Sequence, residues 1–161
     1  MYATLGRIFD QTVSKLPDKE AIVDLRRGYR WTYLQWDEEV NRLAHALTAA
    51  GVEKGDRVST YLFNNIELPT AMFACAKIGA IFNPINFRLK SEELAYILTD
   101  ASPKIVLFEE ALKEPVAAIQ ADFPNIGFWF IDAETPDYAK NYNEVTQASP
   151  VEKPVVDVEE T

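Results

Sequence analysis

The sequence predicts a three-layer α/β domain: a mainly parallel sheet with helices on both faces, preceded by a short amino-terminal hairpin. Three observations lead there. Short apolar runs such as Ile105-Val106-Leu107-Phe108 and Phe128-Trp129-Phe130-Ile131 have the composition of strands buried on both faces. They alternate with segments whose apolar residues recur at helical spacing, the pattern of strand-helix-strand units. The 161 residues, 48% of them hydrophobic, are enough chain for one packed core.

Leu5, Ile8, Phe9, Val13 and Leu16 line one face of a first helix, with Thr4 placed to cap it and Pro17 just past its end. Ala21-Ile22-Val23 and Tyr29-Arg30-Trp31 flank Arg26-Arg27-Gly28 and read as two strands joined by a surface turn. Thr32 followed by Gln35 has capping-box form, and Tyr33, Trp36, Val40, Leu43, Ala44 and Leu47 carry that helix to Gly51. A strand follows at Arg57 to Leu62, then a nearly all-apolar and therefore buried helix from Leu68 to Ile78, with Pro69 in its first turn and Gly79 as its stop. Next come a strand at Ala80 to Pro84, a helix starting at Ser91 and running through Leu94, Ile97 and Leu98, the strand at Ile105, a helix from Glu110 to Ala121, and the strand at Phe128. From Glu134 the periodicity lapses, and Pro136, Pro150 and Pro154 among acids predict an extended tail. The expected organisation is thus an α/β unit over 1–133 and an extended acidic tail over 134–161, leading to further chain.

The net charge of −9 has the wrong sign for neutralising phosphates, so nucleic acid is not an expected partner. Cys75 is the only cysteine, which rules out an internal disulfide, suits a reducing and cytoplasmic setting, and reads as an inert core thiol. No run approaches the roughly 20 apolar residues of a membrane helix, and Met1 to Asp10 has no signal-peptide core. His45, the only histidine, shares a helix with Leu43 and Leu47 and is expected to be structural rather than a general base. The six glycines are too dispersed for a phosphate-binding loop, and no serine stands in a nucleophile elbow. Asp24, Asp56 and Asp100 lie near element ends and could form an acidic pocket, but Asp56 beside Gly55 is adequately explained as turn chemistry. The residues alone therefore predict no catalytic group and no metal site within these 161 residues.

The order of short phrases carries more. Pro17-Asp18-Lys19-Glu20-Ala21, Thr32-Tyr33, Asn41-Arg42-Leu43-Ala44, Gly51-Val52-x-x-Gly55-Asp56-Arg57-Val58, Asn65-x-Glu67, Gly79-Ala80 with Asn83-Pro84-Ile85-Asn86, and Glu93-Leu94-x-Tyr96-x-Leu98 follow one another at natural spacing. In this the chain resembles the start of the adenylate-forming family of acyl-CoA synthetases, coumarate ligases, luciferases and peptide-synthetase adenylation domains, and is most similar to bacterial long-chain fatty acid ligases. Trp36 stands where the family usually has leucine, which implies altered packing. The family's Ser/Thr/Gly-rich phosphate loop and catalytic lysine have no counterpart in the chain, and Val155 to Glu160 resembles the lead-in to that loop.

The resemblance implies a parent enzyme that uses ATP and Mg2+ to join a carboxylate, expected to be a fatty acid, to AMP and then passes the acyl group to coenzyme A. It implies that these residues alone are inactive, that their main partner is the remainder of the parent, and that an apolar wall meant for that remainder promotes self-association. It also implies that Asn86, Phe87 and Arg88 form part of a coenzyme A rim, Arg88 having the charge and planar fork to meet a phosphate. The reading from a different class is a free-standing, non-catalytic α/β binding module.

Overall fold

The computed structural model describes residues 4–156. Helix α1 (Leu5–Lys15) is capped by Thr4, whose hydroxyl accepts from the Arg7 N–H. Strands β1 (Glu20–Asp24) and β2 (Tyr29–Thr32) pair antiparallel as the expected hairpin. Helix α2 (Tyr33–Ala49) opens on the capping box: Thr32 Oγ1 accepts from Gln35 N while Gln35 Oε1 accepts from Thr32 N. Then follow β3 (Arg57–Tyr61), α3 (Glu67–Ile78), β4 (Ile81–Pro84), α4 (Ser91–Ala101), β5 (Ile105–Phe108), α5 (Lys113–Ile119) and β6 (Gly127–Phe130). Gly79 ends α3 with φ of 74°, a left-handed turn that a side chain would strain.

The five-stranded sheet has the order β4-β3-β5-β6-β7, every pair parallel, where β7 is Lys140–Asn141. Alternation along the strands divides the core in two. Val58, Leu62, Ile105, Leu107, Trp129 and Ile131 meet α1, α2, α3 and α6 (Tyr142–Gln147) on one face. Tyr61, Val106, Phe108, Phe128 and Phe130 meet α4 and α5 on the other. The three-layer arrangement with a separate hairpin is therefore the one the sequence predicts.

Two elements differ from expectation. The helix expected over Glu110 to Ala121 is a 3-10 turn at Glu110–Leu112, an α-helix from Lys113, and a second 3-10 turn at Gln120–Asp122. Pro115 is the cause: it has no N–H for the Ala111 carbonyl and its ring would clash there, so the α-helix starts late enough to hold the proline in its first turn. The tail expected to be extended from Glu134 instead carries β7 and α6. Asn141 caps α6 by accepting from Glu144 N, and its amide also donates to the Asp132 carbonyl and Thr135 Oγ1.

Beyond α6, residues 149–153 form neither helix nor strand but are tied down. The Asn41 amide donates to the Val151 carbonyl at 2.8 Å, Arg42 to the Ser149 carbonyl at 3.0 Å, and His45 Nε2 to the Glu152 carbonyl at 2.9 Å. Lys153 pairs with Asp10 of α1. Of the stretch Val155 to Glu160, residues from Asp157 lie outside the described residues.

Candidate functional site at the carboxyl ends of the strands

Topology dictates where a crevice must form. From β3 the chain passes through α3 to β4 on one side, whereas from β5 it passes through α5 to β6 on the other, so connections diverge between β3 and β5. Ligands of open α/β sheets bind beyond the strand ends at such a point. Here Glu109, directly after β5, fills it. The residue is 3% exposed, and its two carboxylate oxygens accept from Phe63 N at 2.5 Å and Asn65 Nδ2 at 3.2 Å. Asn65 Oδ1 in turn accepts from Leu68 N in the first turn of α3. These bonds hold the β3–α3 loop across the sheet edge and satisfy a carboxylate that burial would otherwise penalise. Sequence reasoning passed over Glu109, because one acid after an apolar strand looks like ordinary turn chemistry.

On the far side of β3 lies the predicted trio. Asn86 makes the turn: its Oδ1 accepts from Arg88 N at 3.0 Å and its carbonyl from Leu89 N at 3.1 Å. Phe87, half-buried, packs on Phe63 with ring centroids 4.6 Å apart, which joins this loop to the β3–α3 loop. The exposed Arg88 guanidinium lies 5.3 Å from the Phe87 ring centroid, a cation–π contact. Tyr61 O–H donates to the Leu89 carbonyl at 2.6 Å and pins the loop to β3. The site can therefore present one oriented guanidinium and an aromatic ledge to an anionic ligand. It brings no nucleophile or general base to that ledge.

The other candidates are dispersed. His45 serves the tail, and Cys75 is buried in α3, where burial pushes its thiol up to about 12. Asp24 accepts from Arg26 N and Arg27 N within the hairpin turn, Asp56 from Glu53 N in its own turn, and Asp100 lies on the surface of α4. Among the described residues no three His, Cys, Asp or Glu side chains are grouped to hold a metal ion, and no helix is long and apolar enough to cross a membrane.

The profile of the AMP-binding enzyme family matches residues 9–160. The chain belongs to that family. Among AMP-binding relatives, it is 35% identical over 133 residues to the long-chain-fatty-acid–CoA ligase FadD13 of Mycobacterium tuberculosis, an alignment covering 81% of this chain and 26% of FadD13. It is 36% identical over 141 residues to a long-chain-fatty-acid–CoA ligase of Thermus thermophilus, covering 84% of this chain and 26% of that protein. A solved fatty acyl CoA synthetase of Mycobacterium tuberculosis superposes with a TM-score of 0.86 at 29% identity, covering 98% of this chain and 30% of the other. The N-terminal domain of FACL13 from the same organism gives a TM-score of 0.87 at 28% identity, covering 99% and 39%. The chain thus spans about a quarter of the length of these two sequence relatives.

Proposed function

We propose that this AMP-binding chain forms the amino-terminal α/β wall of a longer ATP-dependent ligase that converts a fatty acid to its coenzyme A thioester through an acyl-adenylate. The observation that carries this reading is the 35% identity to FadD13 over 133 residues, 81% of this chain. The substrate class rests on the names of the relatives, which are long-chain fatty acid ligases.

The residues present do not fit every cofactor of that reaction. No glycine-rich loop exists in the sequence to cradle ATP, and the described residues offer no grouped carboxylates for magnesium. No step through either is assigned to this chain, and the 161 residues alone do not adenylate a carboxylate. Coenzyme A fits better: it carries phosphates, and Arg88 on its Phe87 ledge, at the carboxyl rim, could meet one of them. When bound, coenzyme A supplies the thiol that accepts the acyl group. Asn86 and Tyr61 fix the loop that aims Arg88, and residues 134–156 lead toward the remainder of the enzyme.

The test compares two proteins. Fatty acid-dependent exchange of pyrophosphate into ATP should be absent for the 161-residue chain and present for the longer polypeptide that carries it. In the longer polypeptide, Arg88→Ala should raise the KM for coenzyme A about tenfold and leave the adenylation half-reaction unchanged. Exchange by the short chain, or no acyl-CoA formation by the long one, overturns the reading. Equal loss in both half-reactions removes Arg88 from the coenzyme A rim.

A further inference from the structure

Beside the strand-end crevice, on the α2 and α6 face of the sheet, the structure holds a second hollow, of about 360 Å3, walled by segments distant in sequence. Arg27 of the hairpin turn and Trp31 of β2 form one wall, Glu39 of α2 and Glu67 of α3 the floor, and Asp132 after β6 and Tyr142 of α6 the opposite side. None of these side chains takes part in the Arg88 rim.

The lining has three acids and one base. The base is already matched: Arg27 Nη1 donates to Glu67 Oε1 at 2.5 Å, with Asp24 a further 3.9 Å from its Nε. Glu67 is 7% exposed, and its second carboxylate oxygen is buried with no hydrogen-bond partner. Burial raises its carboxyl, against the hydrogen bond from Arg27, and burial likewise raises that of Glu39, which Arg42 approaches at 3.6 Å. Burial pushes the Tyr142 phenol up, and it stays neutral. The rings of Tyr29 and Trp31 stack at 5.6 Å and 20° beside the opening.

A negative surplus, an acceptor oxygen without a donor, and an aromatic wall call for a cation that donates hydrogen bonds and presents a body to a ring face. A bare metal ion is disfavoured because the acids are not grouped as ligands. We propose that this hollow binds an organic cation, an alkylammonium or guanidinium group, seated between Glu39 and Asp132 with its stem against Trp31 and Tyr29. The reading is independent of the ligase activity. Two sources share that chemistry, a free amine and a basic side chain on a polypeptide.

Titration of the 161-residue chain with n-butylammonium, followed by the NMR shift of the Trp31 indole N–H, should give a saturable response. The neutral isostere n-butanol should give none, and high salt should weaken binding. Glu39→Gln combined with Asp132→Asn, both keeping an acceptor oxygen, should weaken it roughly tenfold or more, whereas Asp122→Asn, on the other side of the sheet, should not. N-acetyl-lysine methylamide forms the second arm. Tighter binding than butylammonium assigns the site to a polypeptide side chain, and weaker binding assigns it to a free amine. Failure of both cations to saturate, or equal responses to butylammonium and butanol, overturns the proposal.

Discussion

Lys77 sits in α3 with its side chain 2% exposed, and its ammonium meets Asp37 Oδ1 at 2.6 Å, Asp10 Oδ1 at 2.8 Å and Asn41 Oδ1 at 2.8 Å. One cation thus joins α1, α2 and α3. Substituting Lys77→Met keeps the apolar stem but leaves both carboxylates without their shared partner. Removing one member of a buried pair typically costs 3–5 kcal/mol, roughly. Asp10 and Asp37 are 19% and 16% exposed, Asp10 retains Lys153, and Asp37 retains the Asn41 amide at 3.0 Å. Residual hydration and those partners place the loss at the lower end, about 3 kcal/mol, or roughly 6–12 °C in Tm for a domain of this size. Asp10 gives the pH dependence. Burial favours its protonation, but the hydrogen bonds from Lys153 and Lys77 outweigh it and hold the carboxyl below the ordinary value. A lowered folded pKa gives stability that is complete above the unfolded pKa near 4 and is lost as pH falls through the folded value. The gap between wild type and Lys77→Met should therefore be largest near pH 7 and shrink as pH falls below about 4. Urea unfolding at pH 7 and pH 3 measures both. A Lys77→Met chain within about 0.5 kcal/mol of wild type at pH 7, or a gap that does not shrink, refutes the reasoning.

Three further outcomes can be checked alongside. Gly6→Ala should gain about 1 kcal/mol of helix propensity but lose more, because the new Cβ would lie 3.0 Å from the Ala76 carbonyl oxygen and 3.4 Å from Lys77 Cα, helical backbone that cannot yield without disturbing the Lys77 cluster. A net loss of about 1 kcal/mol is expected in thermal melts, and a stabilised variant would show that α1 is free to slide. Cys75, with its thiol raised by burial to about 12, should resist labelling by a disulfide reagent at pH 8 in the folded chain and react at once in urea; prompt labelling of folded protein would contradict its placement in the core. Glu109→Ala should cost about 2–4 kcal/mol, since Phe63 N–H and the Asn65 amide both lose an acceptor, and Glu109→Gln should recover part of it; the urea midpoints of the two variants separate these effects.

Local signals carried the fold where they exist. Thr32 and Gln35 mark the α2 start within four residues, Pro69 and Gly79 bracket α3, and the runs at Ile105 and Phe128 can only be interior strands. Tail structure was less legible: β7 has two residues, and α6 is a single short helix with Tyr142 and Thr146 buried, too brief to establish a period. Sites were harder still. Asn86, Phe87 and Arg88 are adjacent, so their shared loop was readable, whereas Glu109 meets Phe63 across 46 positions and Arg27 meets Glu67 across 40. Such pairings leave no trace in spacing, because they arise from strand order. Leu25 in the hairpin turn and Tyr96 on α4 are strongly exposed, but they stand on separate elements.

The tail fastening changes how the chain can be cut. Asp10 meets Lys153, and Asn41, Arg42 and His45 hold the carbonyls of residues 149–152, so the first helix and the last described segment run side by side although more than a hundred residues separate them. The first and last described segments therefore lie against one patch of surface. A short linker could join them, and new ends could be opened at the surface turn around Gly55, without losing a strand pairing of the main sheet. Such a circular permutant would keep the pairings of the main sheet while presenting its ends elsewhere.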